Sequence, residues 1–272
     1  MPAINLPRLR QDCVRLSAEF ENPRRFIRQL DELLNHYANR SQRAGQTGKP
    51  RPLINSYNVP KPVVRQVLSE MIPLIASHPA AILNLCDALW EEPNYEFRLI
   101  AAHLLGQINS QPPEVILKRV VYWSTPLPED RLLDAIYGPG LDGLLRESPD
   151  ALLSQIADWL SESDVSLQRA GLLALKSLIT SENFENHPLL FHLISPLTRA
   201  HPVDLRSEMR AIFQEIARRS PVETAYYLRQ VLEITQSPDA AWLARQCLPL
   251  LPRESQESLR SVLRNISTGV TP

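Results

Sequence analysis

The 272-residue chain is short of several residue types, and each shortage closes off a class of protein. No apolar run approaches the roughly 18 residues a bilayer-spanning helix needs, so no membrane association is expected. The opening MPAINLPRLRQDC lacks the apolar core of a secretory signal. The three cysteines, Cys13, Cys86 and Cys247, are far apart and lack CxxC spacing. They fit buried thiols in a reducing compartment, and a cytoplasmic location is expected. Alternating Val/Ile/Thr runs of the strand type are missing. So are the phosphate-loop pattern GxxxxGKS/T and the zinc pattern HExxH. Gly138-Pro-Gly140-Leu-Asp-Gly143 matches GxGxxG only as a string, because a dinucleotide site needs a strand before it and a helix opening within it. It reads as a break in a helical unit, and no cofactor is expected. The six histidines are dispersed, and His78, His187 and His201 each precede a proline at a helix start, so no metal site is expected.

What the chain does have is leucine, alanine and 24 prolines spread along its length. Proline recurs before an amphipathic segment at Pro79, Pro113, Pro149, Pro188 and Pro221, at gaps of 34, 36, 39 and 33 residues. Proline suits a first helical turn, where its missing N–H costs nothing. Within each unit a second helix is expected to open on an Asn or Asp cap: Asn94, Asp130, Asp164, Asp204 and Asp239. Apolar residues return at helical spacing, as in Leu152, Ile156, Trp159 and Leu160. A single such hairpin cannot bury its apolar stripe, whereas stacked hairpins bury it between them. The expected fold is therefore all-α: a right-handed α-α superhelix of HEAT-like repeats with a concave face. Trp90, Trp123 and Trp159 fall near the same point of successive first helices and read as packing residues.

One domain is expected over 1–272. Residues 1–56 would be basic N-terminal helices and a loop, 57–264 the stacked repeats, and 265–272 a flexible tail. The helices near 6–37 break at Asn22-Pro23, and NRSQRAGQTGKPRP over 39–52 reads as a mobile loop. Net charge is −1 but uneven. Residues 1–65 hold 12 Lys/Arg against 5 Asp/Glu, while the remainder holds 17 against 25. A basic quarter on an acidic body can hold a polyanion locally, or can be an ordinary solvated arm. Arg51, Lys61 and Arg65 belong to that quarter.

Two stretches resemble the DNA alkylation repair family of HEAT-like glycosylases, the AlkD type. Tyr57-Asn58-Val59-Pro-Lys61-Pro62-Val-Val-Arg65 is similar to the family's Tyr-Gly-Val-x-x-Pro-x-x-Arg, with Asn58 in place of Gly. Trp90-Glu-Glu-Pro-Asn-Tyr-Glu96-Phe-Arg98-Leu-Ile-Ala101 is similar to its Trp-Glu-Ser-x-x-x-Glu-x-Arg-x-x-Ala helix. The resemblance implies a groove that holds duplex DNA and an Asp that stabilises the cationic sugar formed as an alkylpurine departs. That Asp matches Asp134 in Asp130-Arg-Leu-Leu-Asp134, where Asp130 replaces a Trp. Arg169, in Ser166-Leu-Gln-Arg169, matches a phosphate-contacting Arg, and Ser166 replaces the second Trp. Losing both aromatic walls removes the surfaces that support the cation.

The expected DNA contacts are Arg169, Arg98, Arg65, Arg51 and Lys61. Asp134 reads as the catalytic carboxylate, as a residue with a binding role only, or as a solvated residue beside Arg98. Arg98 and Arg65 also read as residues pairing near helix ends. The expected function is duplex DNA binding with reduced or absent excision. The alternative is a non-enzymatic scaffold holding a protein partner in the same groove.

Overall fold

The computed structural model describes residues 5–39, 54–109, 112–125, 129–180 and 186–268. Among these no strand forms; an isolated bridge joins Asn55 and Asn94. The chain divides into two compact units, Met1–Leu152 and Leu153–Pro272.

The first unit contains α1 (Leu6–Ser17), α2 (Pro23–Tyr37), α3 (Lys61–Ile75), α4 (Pro79–Glu91), α5 (Tyr95–Leu105), α6 (Glu114–Ser124), α7 (Asp130–Tyr137) and α8 (Asp142–Glu147). The N-terminal helices open as the sequence dictates. Asn5 and Asn22 accept from the backbone N–H groups of Arg8 and Arg25, with proline at the start of each helix. Alternate helices pack side by side: α1 on α3, α3 on α5, α5 on α7. These form one layer, with α2 and α4 packed behind it. The apolar stripe of α4, Ile82, Leu85, Cys86, Leu89 and Trp90, is wholly buried. Each such side chain contributes about 1.5–3 kcal/mol by leaving water. α4 and α6 are joined by the Trp90 and Trp123 rings, stacked at 4.6 Å, and by a two-pronged Arg119–Asp87 pair at 2.8 and 2.7 Å.

The break foreseen at Gly138–Gly143 is a 3-10 turn, Pro139–Leu141, followed by α8. It exists because it runs against the end of α5. A Cβ on Gly106 would lie 1.7 Å from the Pro139 carbonyl oxygen. Only a glycine permits that approach.

The second unit contains most of α9 (Pro149–Ser161), then α10 (Val165–Thr180), α11 (His187–Arg199), α12 (Arg206–Arg219), α13 (Pro221–Thr235), α14 (Pro238–Cys247) and α15 (Arg253–Thr268). Here α10, α12 and α14 pack in series, and α11, α13 and α15 form the second series. The pairing α4–α5, α6–α7, α9–α10, α11–α12, α13–α14 follows the five proline-led units of the sequence.

The capping scheme needs correction. Asp164 caps as expected, accepting from Ser166 N–H at 2.8 Å. Asn94 holds the cap position of α5 without the capping bond, and its amide N–H donates to the Tyr57 hydroxyl. Asp130 and Asp239 lie inside the first turns of α7 and α14, and Asp204 lies in a 3-10 turn before α12. The cap of α14 is Ser237, which accepts from Ala240 N–H at 3.2 Å. An acidic residue one or two places into a helix gains from the helix dipole without capping, so the two roles look alike in sequence. Prolines also do more than punctuate: Pro73 and Pro196 lie within α3 and α11.

Candidate functional site

A buried carboxylate fixes the approach to α3. Glu96, in the first turn of α5, is only 3% exposed. It accepts from the Ser56 hydroxyl at 2.8 Å and from Tyr57 N–H at 3.1 Å. The Tyr57 hydroxyl donates to Asp31 of α2 and accepts from Asn94. Burial, then the bond to Asp31, holds the Tyr57 phenol above its ordinary pKa. Tyr95 N–H adds a 2.8 Å bond to the Asn55 carbonyl. Residues 55–57 are thus clamped to the start of α5 and to α2. The turn that follows requires a left-handed residue: Asn58 has φ 52°. Among non-glycine residues Asn tolerates this conformation best, which accounts for its presence where the resembling motif has Gly.

Lys61 and Arg65, one turn apart at the start of α3, are both exposed, and among the described residues neither enters an ion pair. Arg98 is half-buried. Its Nε donates to the carbonyls of Trp90 and Glu92 at 3.0 Å each, and its guanidinium lies 5.3 Å from the Trp90 ring centre. It therefore closes the open C-terminus of α4, a role that satisfies free carbonyls. Arg51 lies outside the described residues, as does most of the 39–52 loop.

Asp134 is exposed on α7, the neighbour of α5. Close to it is an arrangement the sequence did not reveal. The Arg131 guanidinium lies over the ring of Tyr95 at 5.8 Å, and its Nε stands 3.7 Å from the buried Glu129 carboxylate. Burial raises the Tyr95 pKa above its ordinary value; Arg131 opposes this, while Glu129, Glu96 and Asp134 reinforce it. Lys61, Arg65, Arg98 and Asp134 thus all stand on the layer formed by α3, α5 and α7.

Arg169 belongs to the second unit. From α10 its Nη2 donates to the Asp204 carbonyl at 2.7 Å, and its Nε stands 2.9 Å from the Glu208 carboxylate of α12. Arg206 repeats the pattern toward α14, with Asp239 at 3.5 Å and the Trp242 ring at 5.5 Å.

A family model described as DNA alkylation repair enzyme matches residues 30–241. The chain belongs to that family. No individual curated protein and no solved structure matches it. The two stretches that resemble the family are the ones Glu96 and Tyr57 tie together, so part of their likeness is explained by folding alone. Asp130 and Ser166, the residues that the resemblance sets where the family has aromatic walls, are both exposed. No helix among the described residues is long and apolar enough to cross a membrane. Nor do three or more His, Cys, Asp or Glu residues gather among them as a metal site would require.

Sequence reasoning missed Asp31, Tyr95 and Arg131, and for the last two there was one usable signal. Contacts between successive repeats fall one period apart: Arg119–Asp87 at 32, Arg206–Asp239 at 33 and Arg169–Asp204 at 35 residues. Tyr95 and Arg131 obey the same rule.

Proposed function

We propose that the chain binds duplex DNA through its phosphates and excises alkylated bases weakly or not at all. In this reading the helical pairs of each unit stack with the right-handed sense of HEAT-like repeats. The observation that carries the proposal is the layer of α3, α5 and α7, on which Lys61 and Arg65 of α3 and Asp134 of α7 are all exposed, in a chain of the alkylation-repair family. Lys and Arg bind duplex by displacing counterions from phosphate, so affinity falls steeply with salt. Arg51 holds a phosphate of its own, Arg169 of the second unit does so when Glu208 yields its guanidinium, and Arg98 lends its charge to the layer.

Excision needs more. A carboxylate can stabilise a cationic sugar electrostatically, and Asp134 is the residue placed for it by resemblance. A departing cationic purine also needs an aromatic face. Tyr95 is the aromatic near Asp134, and its ring already carries the chain's own cation, Arg131. A second cation there is repelled rather than held. An assay for release of 7-methylguanine and 3-methyladenine from alkylated duplex, with Asp134→Asn as control, tests this. Robust release that depends on Asp134 would reject the weak-excision part. Absence of duplex binding at low salt would reject the whole.

A second reading, a scaffold for a protein partner, is favoured by one feature. On α13, Val222 and Tyr226 are 60% and 63% exposed and line a groove of about 250 Å³ with Leu259 of α15. Recovery of a specific protein partner, lost in Tyr226→Ala, together with no nucleic acid, would favour it.

A further inference from the structure

We infer that Glu208 is an internal counter-anion that decides whether Arg169 is open to a DNA phosphate; the inference rests on the DNA-binding reading above. The geometry is that of a guanidinium whose charge is already met by an acid of the chain. A guanidinium offers a planar fork of N–H donors suited to a carboxylate or a phosphate. In this chain the guanidinium Nε stands 2.9 Å from Glu208 Oε1 as an ion pair, without a hydrogen bond at that N–H, while Nη2 donates to the Asp204 carbonyl oxygen at 2.7 Å. The carboxylate is itself held in place, because the Ser207 hydroxyl donates to Oε2 at 2.6 Å. Glu208 is the better buried partner, at 16% side-chain exposure against 42% for Arg169. The arginine therefore still meets solvent on one side while its charge is met by a fixed acid on the other.

This arrangement sets the behaviour of the site. A phosphate that approaches Arg169 meets two charges of opposite sign a hydrogen-bond length apart, and it must displace Glu208 or share the guanidinium with it. Either way the counterion release expected from one arginine is largely cancelled. Removing the negative charge while keeping the shape opens the fork. Glu208, rather than the arginine alone, is thus the residue that tunes how firmly the second unit holds the DNA backbone.

The test measures binding of the full chain to a short fluorescein-labelled duplex across a salt series, for wild type, Glu208→Gln, Arg169→Gln and the double variant. Glu208→Gln is expected to bind about threefold to fivefold tighter at low salt, the worth of one partly exposed ion pair. Its dependence of log affinity on log salt is expected to steepen by about 0.9, the effect of neutralising one more phosphate. Adding Arg169→Gln must remove both gains. A purely structural pair would lower the melting temperature of Glu208→Gln and leave the salt slope unmoved, which overturns the inference while leaving the DNA-binding reading intact. A gain that survives in the double variant overturns it too, since it would reflect net charge alone. If neither wild type nor Glu208→Gln binds, both readings fall. Should Glu208→Gln fold poorly, Ser207→Ala loosens the same carboxylate and is expected to shift affinity in the same direction by a smaller factor; no shift would overturn the inference.

Discussion

Replacing Glu96 with alanine tests whether a buried carboxylate organises the family-like segment. The side chain is 3% exposed and receives two donors, the Ser56 hydroxyl at 2.8 Å and the Tyr57 backbone N–H at 3.1 Å. Hydrogen bonds to a charged group contribute about 1.5–3 kcal/mol each. Ser56 is half-buried, so its hydroxyl recovers water once the carboxylate has gone. The Tyr57 N–H, on an equally half-buried residue, loses a bond to the same charged group. The expected total is near the lower end, about 3 kcal/mol, which for a chain of this size lowers the melting temperature by about 6–12 °C. Glu96→Gln keeps one acceptor oxygen and loses the charge, so it should fall roughly halfway between. The assay is thermal unfolding followed by far-ultraviolet circular dichroism. A Glu96→Ala protein melting within about 2 °C of wild type would refute the reasoning, since a loss that small corresponds to less than about 1 kcal/mol.

Gly106 has ordinary helical dihedrals, φ −72° and ψ −6°, so propensity alone predicts that Gly106→Ala gains up to about 1 kcal/mol. The Cβ would meet the Pro139 carbonyl at 1.7 Å, and that overpacking should cost about 3 kcal/mol; a raised melting temperature would contradict it. Burial pushes the Cys13 and Cys247 thiols from an ordinary 9.0, and the Tyr137 phenol from 10.0, up to about 12. The unfolded chain therefore loses protons first, so stability is full below about pH 9 and declines from there toward about pH 12. Melting temperatures that rise across that range would be inconsistent with buried thiols. Asp134→Asn should leave duplex affinity within about twofold, as for an exposed group outside the phosphate contacts. A loss of tenfold or more in the same titration would make Asp134 part of the binding surface.

The all-helical architecture was legible because proline spacing and apolar periodicity pointed to the same units. Five proline-led pairs occur where the gaps near 35 residues place them. Cap identities were less legible: Asp130, Asp204 and Asp239 are favoured near a helix start whether or not they cap, and the difference is a shift of one or two residues. The site was visible as residue types but not as partnerships. Arg98 and Arg169 share the same charge and similar positions at the start of a second helix. One turns back onto the carbonyls of α4 and the other reaches forward to Glu208. That choice depends on which acceptors the neighbouring helix supplies, which a linear motif does not encode. The Arg131–Tyr95 contact was hidden for the same reason, although its spacing of one repeat marked it as reachable.

The most direct test of DNA binding is the salt dependence of duplex affinity for wild type and for the Lys61→Gln/Arg65→Gln variant. Both residues are exposed, so the fold should survive their replacement. The double variant is expected to flatten the slope of log affinity against log salt by about 1.8, about 0.9 for each phosphate no longer neutralised. Equal slopes for the two proteins, or no duplex binding by wild type at low salt, would contradict the assignment of α3 to the DNA backbone.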